Sequence, residues 1–378
     1  MAEKRFYSRF NFTGELVLPK SSSKRPLCEE RKTKDKKNAL SMSFGVKSDE
    51  NNMVFVEAFD SVRDTIKTMN ADKDKIEIDW ADRMDEDIVA TVASYRKYVV
   101  NLGDDYGGRK EFISQYDQIK FLKETLPNYK GRVVVTGQYT KEWYEGKNGG
   151  KYYDHFKMQG VYAADEDSKN RLALTMDVYY NKDSVDETEW KESKKMILNG
   201  YIAQYVNKDE GTKYFPQQFV FSAAKYDPEN ESHQKILKYK LGYIKTKSKT
   251  MVHIPWELVL LRGAEEADFD ESMLTDKQRE QVELGIKKLE DFKPKGTIVG
   301  DRINEFRMFD PKLMGDFEDG LVDTELSESD FEEQIYVPTL DEKLSDLGKK
   351  STAKKAEKPA DNALLFDTDD GADVEDLF

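Results

Sequence analysis

Apolar and polar residues alternate with a period of two along several stretches, and that period predicts half-buried strands. It runs through 10-FNFTGELVL-18, 40-LSMSFGVK-47 and 53-MVFVEAFD-60 near the N-terminus. Three short stretches echo one another: 12-FTGEL-16, 135-VTGQY-139 and 198-LNGYI-202. Each sets a glycine inside a strand, which predicts a bulge or a sharp bend. The second and third continue across charged, Gly-containing turns into 151-KYYDHF-156 and 213-KYFPQQF-219. Two long hairpins follow, over 131–162 and 195–224. Further strands are expected at 171-RLALTMDVYY-180 and 251-MVHIPWELVLL-261. Helices are expected at 61–69, at 275–292, and at 114-SQYDQIKFLKETL-126. In the last, Ser114 is the N-cap, Asp117 follows three residues on, and Pro127 helps to end the helix. The segment 85–101 fits helix or strand equally.

The fold class is therefore mainly β. Sharply bent strands in groups of about five, with a helix between the third and fourth, suit OB-like Greek-key barrels with added helices. One barrel is expected in 5–126 and a second in 130–262, with a helical extension over 263–314. An unspecified all-β sandwich is the plainer alternative. From 315 the pattern dissolves. An acidic segment (315–347) contains 316-DFEDGLVDTELSESDFEEQ-334, with isolated apolar residues. Residues 348–378 form a linker, 348-GKKSTAKKAEKPAD-361, and an acidic tail. A stretch of that composition cannot bury enough surface to offset its ordering entropy.

The net charge of −14 argues against a nucleic-acid partner until its distribution is considered. Residues 1–264 carry 45 Lys and Arg against 41 Asp and Glu, a net +4, whereas residues 265–378 carry 15 against 33, a net −18. A neutral-to-basic binding half joined to an acidic interaction half is the expectation. One cysteine, Cys28, excludes a disulfide framework, and His155, His233 and His253 have no metal-binding spacing. Neither a signal-peptide h-region nor a 20-residue apolar span is present, so a cytoplasmic protein away from membranes is expected. In 146-GKNGGK-151 the spacing is wrong for a phosphate loop, and 367-DTDDG-371 misses the calcium-loop register. Neither an enzyme nor a cofactor is expected.

Alternation divides 151-KYYDHFKM-158 into two faces. Tyr152, Phe156 and Met158 fall on one, Lys151, Tyr153, His155 and Lys157 on the other. Rings beside cations suit single-stranded nucleic acid, with bases on the rings and phosphates on the ammonium groups. A solvated strand face is the plain alternative. Tyr201 and Tyr205 share a face opposite Met196, Leu198, Ile202 and Val206. Tyr139, Lys141 and Trp143 join the binding set only if a bulge at Gly137 turns them away from the side of Val133 and Val135; otherwise they are core. The loop 19-PKSSSKRPLCEERKTKDKK-37 holds eight Lys and Arg, among them Lys24, Arg25, Arg31 and Lys32. Basic loops between the first two strands are where OB barrels grip oligonucleotides.

Residues 361–378 carry seven Asp and Glu and no Lys or Arg, and end on Glu375-Asp376-Leu377-Phe378. This resembles the C-terminal tip of bacterial and bacteriophage single-stranded DNA-binding proteins, in which a linker leads to an acidic run and a terminal Phe. Bacterial members typically place Ile-Pro before that Phe; here Leu377 stands in for the pair. The resemblance implies sequence-tolerant binding of single-stranded DNA in replication, recombination and repair. It also implies recruitment of a polymerase, helicase or primase through Asp373, Glu375, Asp376, Leu377 and Phe378. Two barrels and a long acidic segment differ from the bacterial one-barrel tetramer and fit a phage origin better. The alternative is an acidic adaptor or DNA mimic that binds a nucleic-acid enzyme and never touches DNA.

Overall fold

The computed structural model describes residues 8–20, 26–146, 149–266, 274–292, 299–312, 322–323 and 328–337. The strands are β1 (Ser8–Val17), β2 (Cys28–Lys32), β3 (Asn38–Asp49), β4 (Asn52–Ser61), β5 (Thr65–Met69), β6 (Lys75–Asp79), β7 (Tyr98–Asn101), β8 (Arg109–Phe112), β9 (Arg132–Gly146), β10 (Gly149–Ala163), β11 (Arg171–Tyr180), β12 (Val185–Asp186), β13 (Lys195–Asn207), β14 (Gly211–Ser222), β15 (Val252–Glu266), β16 (Val299–Pro311) and β17 (Val322–Asp323). The α-helices are α1 (Glu86–Thr91), α2 (Gln115–Thr125), α3 (Trp190–Ser193), α4 (Glu231–Ile244), α5 (Asp276–Glu283) and α6 (Glu328–Glu333). The protein is mainly β.

Two closed circuits of hydrogen-bonded strands organise the sheet. In the first, β1 pairs with β3, β3 with β4, β4 in parallel with β10, β10 with β9, and β9 returns to β1. In the second, β11 pairs with β13, β13 with β14, β14 in parallel with β16, β16 with β15, and β15 returns to β11. Each circuit runs first, second, third, fifth, fourth, and the third and fifth strands are parallel. A helix fills the connection from third to fourth strand in both, α2 in one and α4 in the other. Ser114 caps α2, accepting from the Asp117 amide at 3.2 Å, and the helix buries Ile119 and Leu122 beneath its circuit.

The expected boundary between 126 and 130 does not separate these circuits. The hairpin β9–β10, assigned by sequence to a second barrel, closes the first. The stretch expected as a helical extension contains β16, which closes the second. The reason is topological: the helix before β9 is an insertion within a circuit, and hydrophobic alternation does not reveal which strands close a ring. Helix α4 was also not anticipated, although Asn230 caps it, accepting from the Ser232 and His233 amides. The helix expected at 61–69 is instead strand β5, paired with β6 in a separate two-stranded sheet. Its β-branched Thr65, Ile66 and Thr68 favour the extended backbone, and Ile66 packs with Ile78, Val92 and Ile113. The ambiguous segment 85–101 holds both α1 and β7.

The circuits are fused. β1 pairs with β11 from Ser8↔Met176 to Thr13↔Arg171, so the first strands of both circuits lie side by side. One hydrophobic cluster runs through both, from Phe10, Phe44 and Val56 to Trp256 and Phe306. Tyr139 and Phe306 meet edge-on across the junction, at 5.5 Å. Gly14 sits where β1 passes from β9 to β3, and a Cβ there would lie 2.2 Å from the Lys47 carbonyl oxygen. Gly137 likewise admits the Lys157 carbonyl oxygen and the Phe10 ring. Both glycines mark close crossings.

Candidate nucleic-acid interface

The hairpin β9–β10 separates its side chains as the alternation predicts. Phe156 and Met158 are buried, and Tyr152 and Asp154 share their side. Lys151, Tyr153, His155 and Lys157 take the outer side, opposite Tyr144, Glu142, Thr140 and Gln138 of β9. The Lys151 ammonium lies 5.0 Å from the centre of the Tyr153 ring, and Tyr144 meets Tyr153 edge-on at 6.0 Å. Lys157 donates to Glu142 at 2.7 Å, at a half-exposed position.

His155 stands in this outer row but is closed off from solvent. It is 7% exposed, with Nδ1 2.6 Å from Glu57 Oε1 and Nε2 3.9 Å from Glu142 Oε2. Burial opposes its charge, but the hydrogen bond and attraction to Glu57, with Glu142 beyond, raise the imidazole pKa above its ordinary value. The pair ties β10 to its parallel neighbour β4.

Tyr139, Lys141 and Trp143 do not turn outward. The register shift lies on β10, between Met158 and Gly160, and not on β9 at Gly137. Parity along β9 therefore continues unbroken from Val133 and Val135 to Tyr139, all buried. The Tyr139 hydroxyl donates to Asp154 at 2.6 Å and lies 3.1 Å from Gln217 Oε1; burial, then the Asp154 carboxylate, pushes its pKa well up. The Lys141 ammonium is spent on the Pro216 carbonyl and Gln217 of the second circuit, at 2.8 and 2.7 Å. The side chain of Gln204 brackets the Lys141 backbone, accepting from its amide and donating to its carbonyl. Trp143 packs edge-on against Tyr152 at 4.8 Å. Tyr139 and Lys141 fasten the two circuits together.

Two aromatic residues of β4 complete the outer face and were missed in the sequence. Val54, Val56 and Ala58 point into the core, which leaves Phe55, Glu57 and Phe59 outside. The bridge Lys157↔Glu57 sets β4 beside β10, with Phe55 and Phe59 on either side of Glu57 in the outward parity. Phe59 is 43% exposed. Beyond it, the Gln159 amide donates to the Tyr95 carbonyl at 2.9 Å. The Tyr95 ring is 49% exposed, with the Arg96 guanidinium 5.5 Å from its centre. A stripe of rings and cations thus runs from Tyr144 and Tyr153 past Phe55 and Phe59 to Tyr95. The signal was Glu57: burying a carboxylate is costly, so one between two phenylalanines of one parity argues for the outer side. Apolar residues at nearly every position of 53-MVFVEAF-59 hid it.

The remaining predicted residues scatter. Tyr205 is 63% exposed near the end of the β13–β14 hairpin, whereas Tyr201 packs edge-on against Phe331 at 5.2 Å. Arg31 and Lys32 lie on β2, bonded to Glu29 and Asn38 respectively. Lys24 and Arg25 lie outside the described residues, as do Asp373, Glu375, Asp376, Leu377 and Phe378. Among the described residues, no group of three or more His, Cys, Asp or Glu is placed to hold a metal ion, and no helix is long and apolar enough to cross a membrane.

No protein-family model matches the chain, and no curated protein matches it. Among solved structures it is similar to the wild-type single-stranded DNA binding protein from Thermus aquaticus, at 11% identity and a TM-score of 0.30, covering 72% of this chain and 100% of that one. A deletion mutant of that protein matches at 10% identity and a TM-score of 0.30, covering 68% and 88%. Overlap this slight leaves function to be read from the chain's own geometry.

Proposed function

We propose that the chain is a sequence-tolerant binder of single-stranded DNA, gripped along the outer face of β4, β10 and β9. The observation that carries this reading is the stripe of Tyr153, Phe55, Phe59 and Tyr95, interleaved with Lys151, Lys157 and Arg96 on one strand surface. Rings offer π-faces that accept any base, and cations beside them meet the phosphates. Support also comes from the strand circuits. The order first, second, third, fifth, fourth, with a helix before the fourth, is how we read two OB-type barrels; these bind oligonucleotides across their second and third strands, and β4 is the third. A duplex keeps its bases stacked inside, so exposed rings favour the single strand.

Recruitment of replication or recombination enzymes through Asp373, Glu375, Asp376, Leu377 and Phe378 belongs to the same proposal and rests on sequence alone. Phe378 would enter an apolar pocket while a partner Lys or Arg holds its carboxylate. The primary test is fluorescence anisotropy of a labelled dT oligonucleotide beside a duplex of equal length. Binding to dT is expected to be much the stronger and to weaken steeply as salt rises, because bound cations release counterions. Equal affinity for both, or none for either at low salt, would sink the proposal and favour the adaptor or DNA-mimic alternative.

A further inference from the structure

The second circuit has its own aromatic outer face, and a piece of the acidic segment lies on it. Leu174, Met176, Val178 and Tyr180 of β11 point into the core, so Tyr179 points out. The same parity puts Tyr201 of β13, Tyr214 of β14 and His253 of β15 on the outside. Tyr179 stacks on His253 at 4.9 Å and 14° and meets Tyr214 edge-on at 4.9 Å. Into this cradle comes Phe331 of α6, 1% exposed. Its ring lies 4.2 Å from Tyr214 at 31°, 5.2 Å from Tyr201 edge-on and 6.3 Å from Tyr179.

Resting on the single-strand reading above, we propose that this cradle is a second base-stacking site. Residues 328–337 cover it as an internal stand-in for a nucleotide strand. Three observations support this. First, the chemistry of the cover matches that of the ligand: along the sequence Phe331 is a flat ring flanked by Glu328, Asp330, Glu332 and Glu333, as a base is flanked by phosphates. Second, the cradle is on the outside of a circuit whose interior is already filled, so the barrel itself does not need Phe331 as core.

Third, the backbone attachment is slight. The covering helix has six residues, too few to hold itself in water. Among the described residues, its backbone tie to the sheet is one bridge. The Tyr214 amide donates to the Gln334 carbonyl and the Tyr336 amide to the Tyr214 carbonyl, both at 2.9 Å. Tyr336 then stacks on Phe215 at 4.4 Å and 14°, and its carbonyl accepts from the Tyr152 hydroxyl at 3.3 Å. The cover therefore ends against the first circuit at Tyr152, across β10 from Tyr153. A strand that passes round the hairpin from the first face onto the second would meet it and displace it, ring for ring and anion for anion. The acidic segment then acts as a gate that sets how much of a single strand the protein holds.

The test compares the full chain with Phe331→Ala, using a labelled dT oligonucleotide long enough to reach both faces. The variant is expected to bind about tenfold more tightly, the order that one freed stacking position supplies. Adding Tyr214→Ala should erase the gain, whereas Tyr214→Ala alone should change affinity less than about twofold because the cradle is covered. If the wild-type chain binds dT and Phe331→Ala binds no tighter, the gate is wrong while the single-strand reading stands. If neither chain binds dT, the reading fails and takes the gate with it. Hydrogen exchange on the unaltered chain keeps the proposal testable should Phe331→Ala misfold. Saturating dT should speed exchange at the Tyr336 amide, and unchanged or slower exchange would overturn the gate.

Discussion

Tyr153 and Tyr139 are both strand tyrosines in one hairpin, and the side of the sheet decides everything about them. Tyr139 looks inward, and its hydroxyl is committed to Asp154 and Gln217. Tyr153 looks outward among Tyr144 and Lys151. Replacing Tyr153 by Ala should therefore cost about 1–3 kcal/mol of dT affinity, as loss of one stack does, and leave thermal stability nearly intact. Lys157→Ala should cost less affinity but lower the salt slope by about one, because one phosphate contact is gone. Anisotropy titrations over a series of salt concentrations measure both. A Tyr153→Ala chain that unfolds would show that the ring is core and that the outer face is assigned backwards.

At the scale of elements, the parallel pair β4–β10 is the hinge of the proposed surface, and His155 with Glu57 ties it. The imidazole pKa is raised in the folded protein, so the stability this pair contributes is full below the unfolded value of about 6.5. It is lost as pH rises through the higher folded value. Glu57 and Glu142 face the ring, and Lys157 stands on the far side of Glu142. His155→Gln should destabilise the protein by about 1.5–3 kcal/mol at pH 6, the loss of a bond to a charged group. The gap to wild type should narrow steadily from pH 6.5 upward. Denaturant melts across that range are the measurement, and a gap that widens with pH would show that the histidine is buried neutral.

The molecule as a whole behaves as one body on this structure. β1 belongs to the ladders of both circuits, Tyr139 and Phe306 share a contact across the junction, and Arg262 reaches Asp154 at 3.1 Å. A chain built this way should unfold in one cooperative transition. Thermal melts followed by far-ultraviolet circular dichroism and by tryptophan fluorescence should coincide, with Trp80 and Trp143 reporting one circuit and Trp190 and Trp256 the other. Two separated transitions would mean that the circuits fold independently.

The sequence by itself determined which segments extend and which sides they bury, because the period of alternation is local chemistry. The hairpins, strand 171–180, the cap at Ser114 and the outward row Lys151, Tyr153, His155 and Lys157 were all legible for that reason. Closure of the circuits was not, since nothing local in β9 says that its neighbour is β1 and not β11 alone. The fate of Tyr139, Lys141 and Trp143 depended on whether one residue bulges on β9 or on β10. A single-residue shift reverses every side chain beyond it, and only the paired strand shows where that shift falls. Phe331 makes the same point from the acidic segment. Among carboxylates in 328-ESDFEE-333 it reads as a stray apolar residue in a solvated run. Only a surface of Tyr179, Tyr201 and Tyr214, gathered from three distant strands, gives that ring somewhere to go.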